Sequence, residues 1–149
     1  MKTAPSSPPQ ILLIDDNHDG LLVRRSLLQE AGCAVTLARS GEEGLDLFEA
    51  AKFDLIVTDY RMPGITGVDV IGRVRQTEPN ARIILLSGFV EPLGLNEENT
   101  GADAVIAKTS NEPAKLVRAV KRLLSRAARK PPASERPPRT PAGVTAAGS

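Results

Sequence analysis

Cysteine occurs once in the 149 residues, at Cys33, so no disulfide can close within the chain. In its apolar setting Cys33 reads as a small buried residue rather than a reactive thiol. Aromatic residues make up 3% of the chain and none follows Phe89, which leaves the basic C-terminal part without a platform for stacking bases. No apolar run approaches the roughly 18 residues that a membrane span requires. The opening Met1-Lys2-Thr3-Ala4-Pro5-Ser6-Ser7-Pro8-Pro9 has no apolar signal segment, and together these absences favour the cytoplasm. A P-loop is excluded because no Gly-x₄-Gly-Lys is present. His18 is the only histidine and reads as a surface residue at a helix start rather than a metal ligand.

The net charge of +1 conceals two unlike parts. Residues 1–109 carry 10 Lys/Arg against 16 Asp/Glu, whereas residues 110–149 carry 9 Lys/Arg against 2 Asp/Glu, so an acidic body bears a basic end. Residues 1–9 are polar and Pro-rich, and residues 130–149 hold five prolines among Ala, Gly, Ser and Thr. Both stretches are expected to be disordered, because little apolar surface is available to offset ordering entropy. The expected globular unit is 10–129, a single domain without internal repeats.

Within it, apolar runs alternate with helical patterns. Strands are expected at about 11–15, 34–38, 54–58, 82–87 and 103–107, most without polar alternation, as in parallel strands covered on both faces. The first helix carries Leu21, Leu22, Leu27 and Leu28 and stops near Gly32. The second starts at a capping box, Ser40-Gly41-Glu42-Glu43, and the third near Thr66-Gly67. The last runs from about Asn111 to Arg129 with Leu116, Val117, Val120, Leu123 and Leu124 as its apolar stripe. Five βα repeats predict an α/β fold with a doubly wound, five-stranded parallel sheet. Ligands of such sheets sit beyond the carboxyl ends of the strands.

Four runs end at that edge on residues suited to phosphoryl chemistry. Ile11–Ile14 leads to Asp15-Asp16, Leu55–Thr58 to Asp59, Ile83–Leu86 to Ser87, and Ala104–Ala107 to Lys108. Two carboxylates about 4 Å apart repel by roughly 4 kcal/mol at an effective dielectric near 20, so such a cluster calls for a cation. An all-oxygen site suits Mg²⁺. Phosphoryl transfer needs a nucleophile in line and neutralised equatorial oxygens, and a central carboxylate can form an aspartyl phosphate. Mg²⁺, Lys108 and Ser87 would each take one phosphoryl oxygen.

These residues, with Asp59-Tyr60-Arg61-Met62-Pro63-Gly64, Ser87-Gly88 and Gly101-Ala102-Asp103-Ala104 before Lys108, resemble the receiver domain of two-component response regulators over about residues 10–128. The resemblance implies a CheY-like fold with strand order 2-1-3-4-5 and five helices. It makes Asp59 the phospho-acceptor. It assigns Mg²⁺ to Asp16, Asp59 and the backbone carbonyl of Arg61, with Asp15 acting mainly through water. Ser87 and Lys108 would bind the phosphoryl group and couple it to output. The implied partners are a sensor histidine kinase or histidine phosphotransfer protein as donor and a downstream protein as target, without membrane or nucleic acid. The domain would assist its own phosphorylation and dephosphorylation without being an enzyme for a separate substrate.

Three positions depart from that pattern. Val105 stands where the family usually has a rotating aromatic, and Thr109 where a cis proline usually follows the lysine. A cis bond before Thr costs about 3–4 kcal/mol, so a trans loop or a strained cis one is expected. Pro92 and Gly94 predict a short or mobile fourth helix. The chemical site is therefore intact while the usual readout face is altered, and output through another face or onward transfer of the phosphate is expected. Tyr60 and Phe89 flank the site and would tune water access.

The leading function is a stand-alone receiver acting by protein–protein contact, with a phosphorelay intermediate as its variant. A dehalogenase-like phosphohydrolase would need Asp-x-Asp, and Asp59-Tyr60-Arg61 lacks the second acid. Nucleic-acid binding through the basic residues 115–139 is the remaining alternative, though no recognition motif accompanies the charge.

Overall fold

The computed structural model describes residues 7–88 and 93–128. Residues 1–6 of the expected disordered stretch 1–9, the whole expected tail 130–149, Phe89 and Pro92 lie outside the described residues. Among the described residues five strands and five helices alternate: β1 (Gln10–Ile14), α1 (His18–Glu30), β2 (Ala34–Ala38), α2 (Gly41–Ala50), β3 (Leu55–Asp59), α3 (Gly67–Thr77), β4 (Ile83–Ser87), α4 (Glu97–Thr100), β5 (Ala104–Ala107) and α5 (Glu112–Ala128). The strands form one parallel sheet in the order β2-β1-β3-β4-β5, so the chain belongs to the doubly wound CheY-like fold.

Strand residues divide by parity between two cores. Ile11, Leu13, Leu55, Val57, Ile84, Leu86 and Ile106 pack with Leu21 and Leu28 of α1 and with Leu116, Val120 and Leu123 of α5. Leu12, Ile14, Ile56, Ile83 and Leu85 pack on the other face with Val70, Ile71 and Val74 of α3. That double covering is why the strands read as unbroken apolar runs. Each large side chain removed from water contributes roughly 1.5–3 kcal/mol. Cys33 is buried in the first core, as expected.

Local chemistry sets the helix starts. Asn17 caps α1 by accepting from the Gly20 N–H at 3.0 Å. Ser40 caps α2 by accepting from Glu43, but the reciprocal half of the expected box is replaced: Glu43 accepts from Arg39 N–H at 2.8 Å instead of from Ser40. Complete boxes lie at α3, where Thr66 accepts from Asp69 N–H and Asp69 accepts from Thr66 N–H, and at α4, where Asn96 and Asn99 each accept from the other's N–H. In the described part of the fourth-helix stretch, α4 is a single four-residue turn capped by Asn96. From it Glu97 Oε2 accepts the outward-facing Val105 N–H of β5 at 3.1 Å. The peptide bonds of the described residues are all trans, including Lys108–Thr109. Among the described residues no helix is long and apolar enough to cross a membrane.

Candidate functional site

Parallel strand order converts distant sequence positions into one crevice. Asp15 directly follows β1, Asp59 ends β3 at the sheet centre, Ser87 ends β4 and Lys108 directly follows β5. Asp16, Asp59, Arg61, Ser87 and Lys108 line a crevice of about 590 Å³ with Met62, Pro63 and Gly88. Asp15 lies beneath it, 1% exposed. Asp15, Asp16 and Asp59 each offer an oxygen, and these oxygens lie within 4.8 Å of one another. Three hard carboxylate donors at that spacing fit Mg²⁺.

The cations are placed on this cluster by loops and helix faces. The Lys108 backbone N–H donates to Ser87 O at 3.0 Å, tying the loop after β5 to the end of β4. The Lys108 ammonium then reaches the Asp59 carboxylate, and it stands 3.9 Å from Asp15 Oδ2. Burial raises the Asp59 carboxyl above the ordinary carboxylate range, and the Asp15 charge adds to this, while Lys108 and Arg24 oppose it.

Sequence reasoning overlooked two residues. Arg24 of α1 is buried beside the acids: Nη1 donates to Asp15 Oδ2 at 2.9 Å, while Nε and Nη2 donate to the two oxygens of Glu112 at 3.0 Å each. Burial works against the Arg24 charge, yet the Glu112, Asp15 and Asp59 carboxylates outweigh it and hold the guanidinium protonated more firmly than usual. The available clue was position, since Arg24 lies three residues after Leu21 and four before Leu28, on the buried stripe of α1. Asp15 Oδ1 in turn accepts from the Asn17 N–H at 3.0 Å. Asp16 is exposed and has no hydrogen-bond or ion-pair partner among the described residues.

The wall beside the acceptor is built on Gly67. A Cβ there would collide with the Asp59 carbonyl oxygen, and the Gly67 N–H donates to Tyr60 O at 2.9 Å. α3 therefore starts against the acceptor strand. The half-buried Tyr60 packs on the α3 side of the core. His18 is exposed and is not part of the three-carboxylate group.

A doubly wound five-stranded sheet with an acidic triad at its central strand end and a lysine after β5 defines a receiver-type signalling domain. The chain belongs to the response regulator receiver domain family, whose model matches residues 11–121. Domains of this family act in two-component signalling, are phosphorylated by histidine kinases or phosphotransfer proteins, and are generally not catalytic enzymes. The aerobic respiration control sensor protein ArcB of Escherichia coli (strain K12) is 27% identical over 107 residues, which are 70% of this chain but 14% of that protein. A response regulator receiver protein of Anaeromyxobacter sp. (strain Fw109-5) is 32% identical over 79 residues, covering 53% of this chain and 33% of that protein. The chain thus matches only a minor part of these relatives' length. Among solved structures, a CheY-like receiver domain protein from Methanospirillum hungatei JF-1 superposes with a TM-score of 0.76 at 27% identity, covering 84% of this chain and 100% of that one. The response regulator TrrA from Thermotoga maritima, solved in complex with Mg(2+)-BeF, gives 0.71 at 33% identity over 77% of this chain and 98% of that one.

Proposed function

We propose that the protein receives a phosphoryl group on Asp59 from a sensor histidine kinase or a histidine phosphotransfer protein. The observation that carries this reading is the Lys108 ammonium on the Asp59 carboxylate, with Asp15 and Asp16 oxygens within 4.8 Å of an Asp59 oxygen. An Asp59 oxygen attacks phosphorus, the phosphorus–nitrogen bond of the donor breaks, and the departing imidazole takes up a proton. The new mixed anhydride removes the oxygen charge that Lys108 had faced, and the ammonium turns to a phosphoryl oxygen. The Ser87 hydroxyl, at the neighbouring strand end, meets another. Asp16, Asp59 and the Arg61 carbonyl would hold Mg²⁺, with Asp15 behind them; when bound, the ion neutralises charge on the transferring group. The Mg(2+)-BeF complex of the Thermotoga relative supports this use of the crevice.

Residues 10–129 form the receiver unit in this reading, and the message leaves by protein–protein contact as a cytoplasmic, stand-alone receiver or a phosphorelay intermediate. Val105 packs at the side of the core without an aromatic ring to swing, which favours an output other than the usual aromatic switch. Incubation with a small acyl phosphate and Mg²⁺ is expected to add about 80 Da to the wild-type chain, the mass of one phosphoryl group. Asp59→Asn is expected to gain nothing, and the same gain in that variant would remove Asp59 as acceptor.

A further inference from the structure

We infer that Arg24 and Glu112 are a positioning pair that sets the charge of the acidic crevice: by holding Asp15, Arg24 makes the site bind Mg²⁺ more weakly than three unpaired carboxylates would. The inference rests on the reading of Asp15, Asp16 and Asp59 as the metal site.

Four observations carry it. First, both Asp15 oxygens are engaged within the protein, Oδ1 by the Asn17 N–H and Oδ2 by Arg24 Nη1. A carboxylate held at both oxygens has less capacity to accept from the waters of a hydrated cation. Second, the guanidinium is itself locked by a bidentate pair to Glu112, which lies 88 residues away at the first position of α5. That fork fixes the direction of Nη1 and leaves it little freedom to swing away from Asp15. Third, the first turn of α1 is built open for it. A Cβ at Gly20 would stand 2.9 Å from Arg24 Nη1 and 3.5 Å from Asp15 Oδ2, so a larger residue would press on this contact. Fourth, Arg24 is 9% exposed and Glu112 7%, so the fields of both act with little screening by solvent.

Asp16 contrasts with Asp15, being exposed and without a partner among the described residues. The two adjacent acids therefore divide the work: Asp16 remains open to the cation, while Asp15 supplies a charge already half answered. A merely structural pin between α1 and α5 would affect unfolding without altering cation affinity, which separates the two roles.

Calorimetric titration of the full chain with MgCl₂ tests this, with amide shifts of Asp16 and Asp59 as a second readout. Arg24→Met is expected to tighten Mg²⁺ binding about tenfold, the order expected when a unit charge near a divalent ion is removed. That variant leaves Glu112 buried without its partner. The double variant Arg24→Met, Glu112→Leu replaces the ion pair by apolar groups, a change buried pairs commonly tolerate, and is expected to tighten binding at least threefold. Arg24→Lys keeps the charge but loses the fork, and its affinity is expected to fall between wild type and Arg24→Met. Wild-type or weaker Mg²⁺ affinity in the folded double variant would overturn the inference while leaving Asp59 phosphorylation untouched. Failure of every form to bind Mg²⁺ would overturn the metal-site reading and the inference with it. Wild-type Mg²⁺ binding without an added phosphoryl group on Asp59 would instead count against the proposed function alone.

Discussion

Asp59 is 5% exposed and carries its charge among other charges. Burial, with Asp15, raises its carboxyl above the ordinary value against the pull of Lys108 and Arg24. The consequence for stability has a definite sign. Below the ordinary carboxylate range Asp59 is protonated both folded and unfolded and has no linked effect. As pH rises through that range the unfolded chain loses its proton first, so the folded state binds more protons and stability falls until the folded carboxyl ionises too. Asp59→Asn removes this cost. Without divalent cations the variant is expected to exceed wild type by on the order of 1 kcal/mol at pH 7, and the gap should close near pH 3. Thermal melts in EDTA at the two pH values check it. Lys108→Ala keeps the acceptor but removes its counter-charge and is expected to slow acyl-phosphate labelling at least tenfold. The time course of the mass gain measures this.

Elements differ in how openly their residues announced them. β1, β3 and β4 were legible because both faces are covered and their apolar runs are nearly unbroken, with Thr58 of β3 the one polar residue inside them. Of the fourth-helix stretch, Pro92 lies outside the described residues, and the described part holds the short α4 beyond Gly94, a residue that weakens a longer helix through this segment. The caps were only half legible. Ser-x-x-Glu at α2 matched a capping box, yet Glu43 found Arg39 N–H, while the reciprocal box formed by Thr66 and Asp69 lies at the expected start of α3. A sequence pattern identifies which side chain is able to cap, and the chain's entry angle decides which N–H it meets. The entry of α3 also rests on Gly67, for which a Cβ would collide with backbone rather than with a side chain that could turn away. Gly67→Ala is expected to lower stability by about 2–3 kcal/mol, read by denaturant unfolding. It should also slow Asp59 labelling, because the strand end itself must shift.

On the scale of the whole molecule, the crevice exists because a parallel sheet gathers the ends of separate strands. That is why Asp15, Asp16, Asp59, Ser87 and Lys108 were legible together: each stands at the end of an apolar run, and the topology does the rest. The Arg24–Glu112 pair escaped notice since it joins two helix faces 88 residues apart, and no local pattern records which helices will be neighbours. If the three acids repel until a cation arrives, the fold as a whole should respond to that cation. Mg²⁺ at 100 times its dissociation constant is expected to add about 2.7 kcal/mol of stability, and Asp16→Asn with Asp59→Asn should abolish most of the gain. Thermal melts across a MgCl₂ series measure it. The outer border of the sheet carries a different consequence. β5 is a terminal strand, and its Val105 N–H is taken by the carboxylate of Glu97. A stray extended segment from another molecule would meet an occupied donor and a negative charge where it sought a main-chain partner. The single turn of α4 thereby closes one donor of the sheet edge, and Glu97→Ala is expected to raise light scattering at high protein concentration relative to wild type.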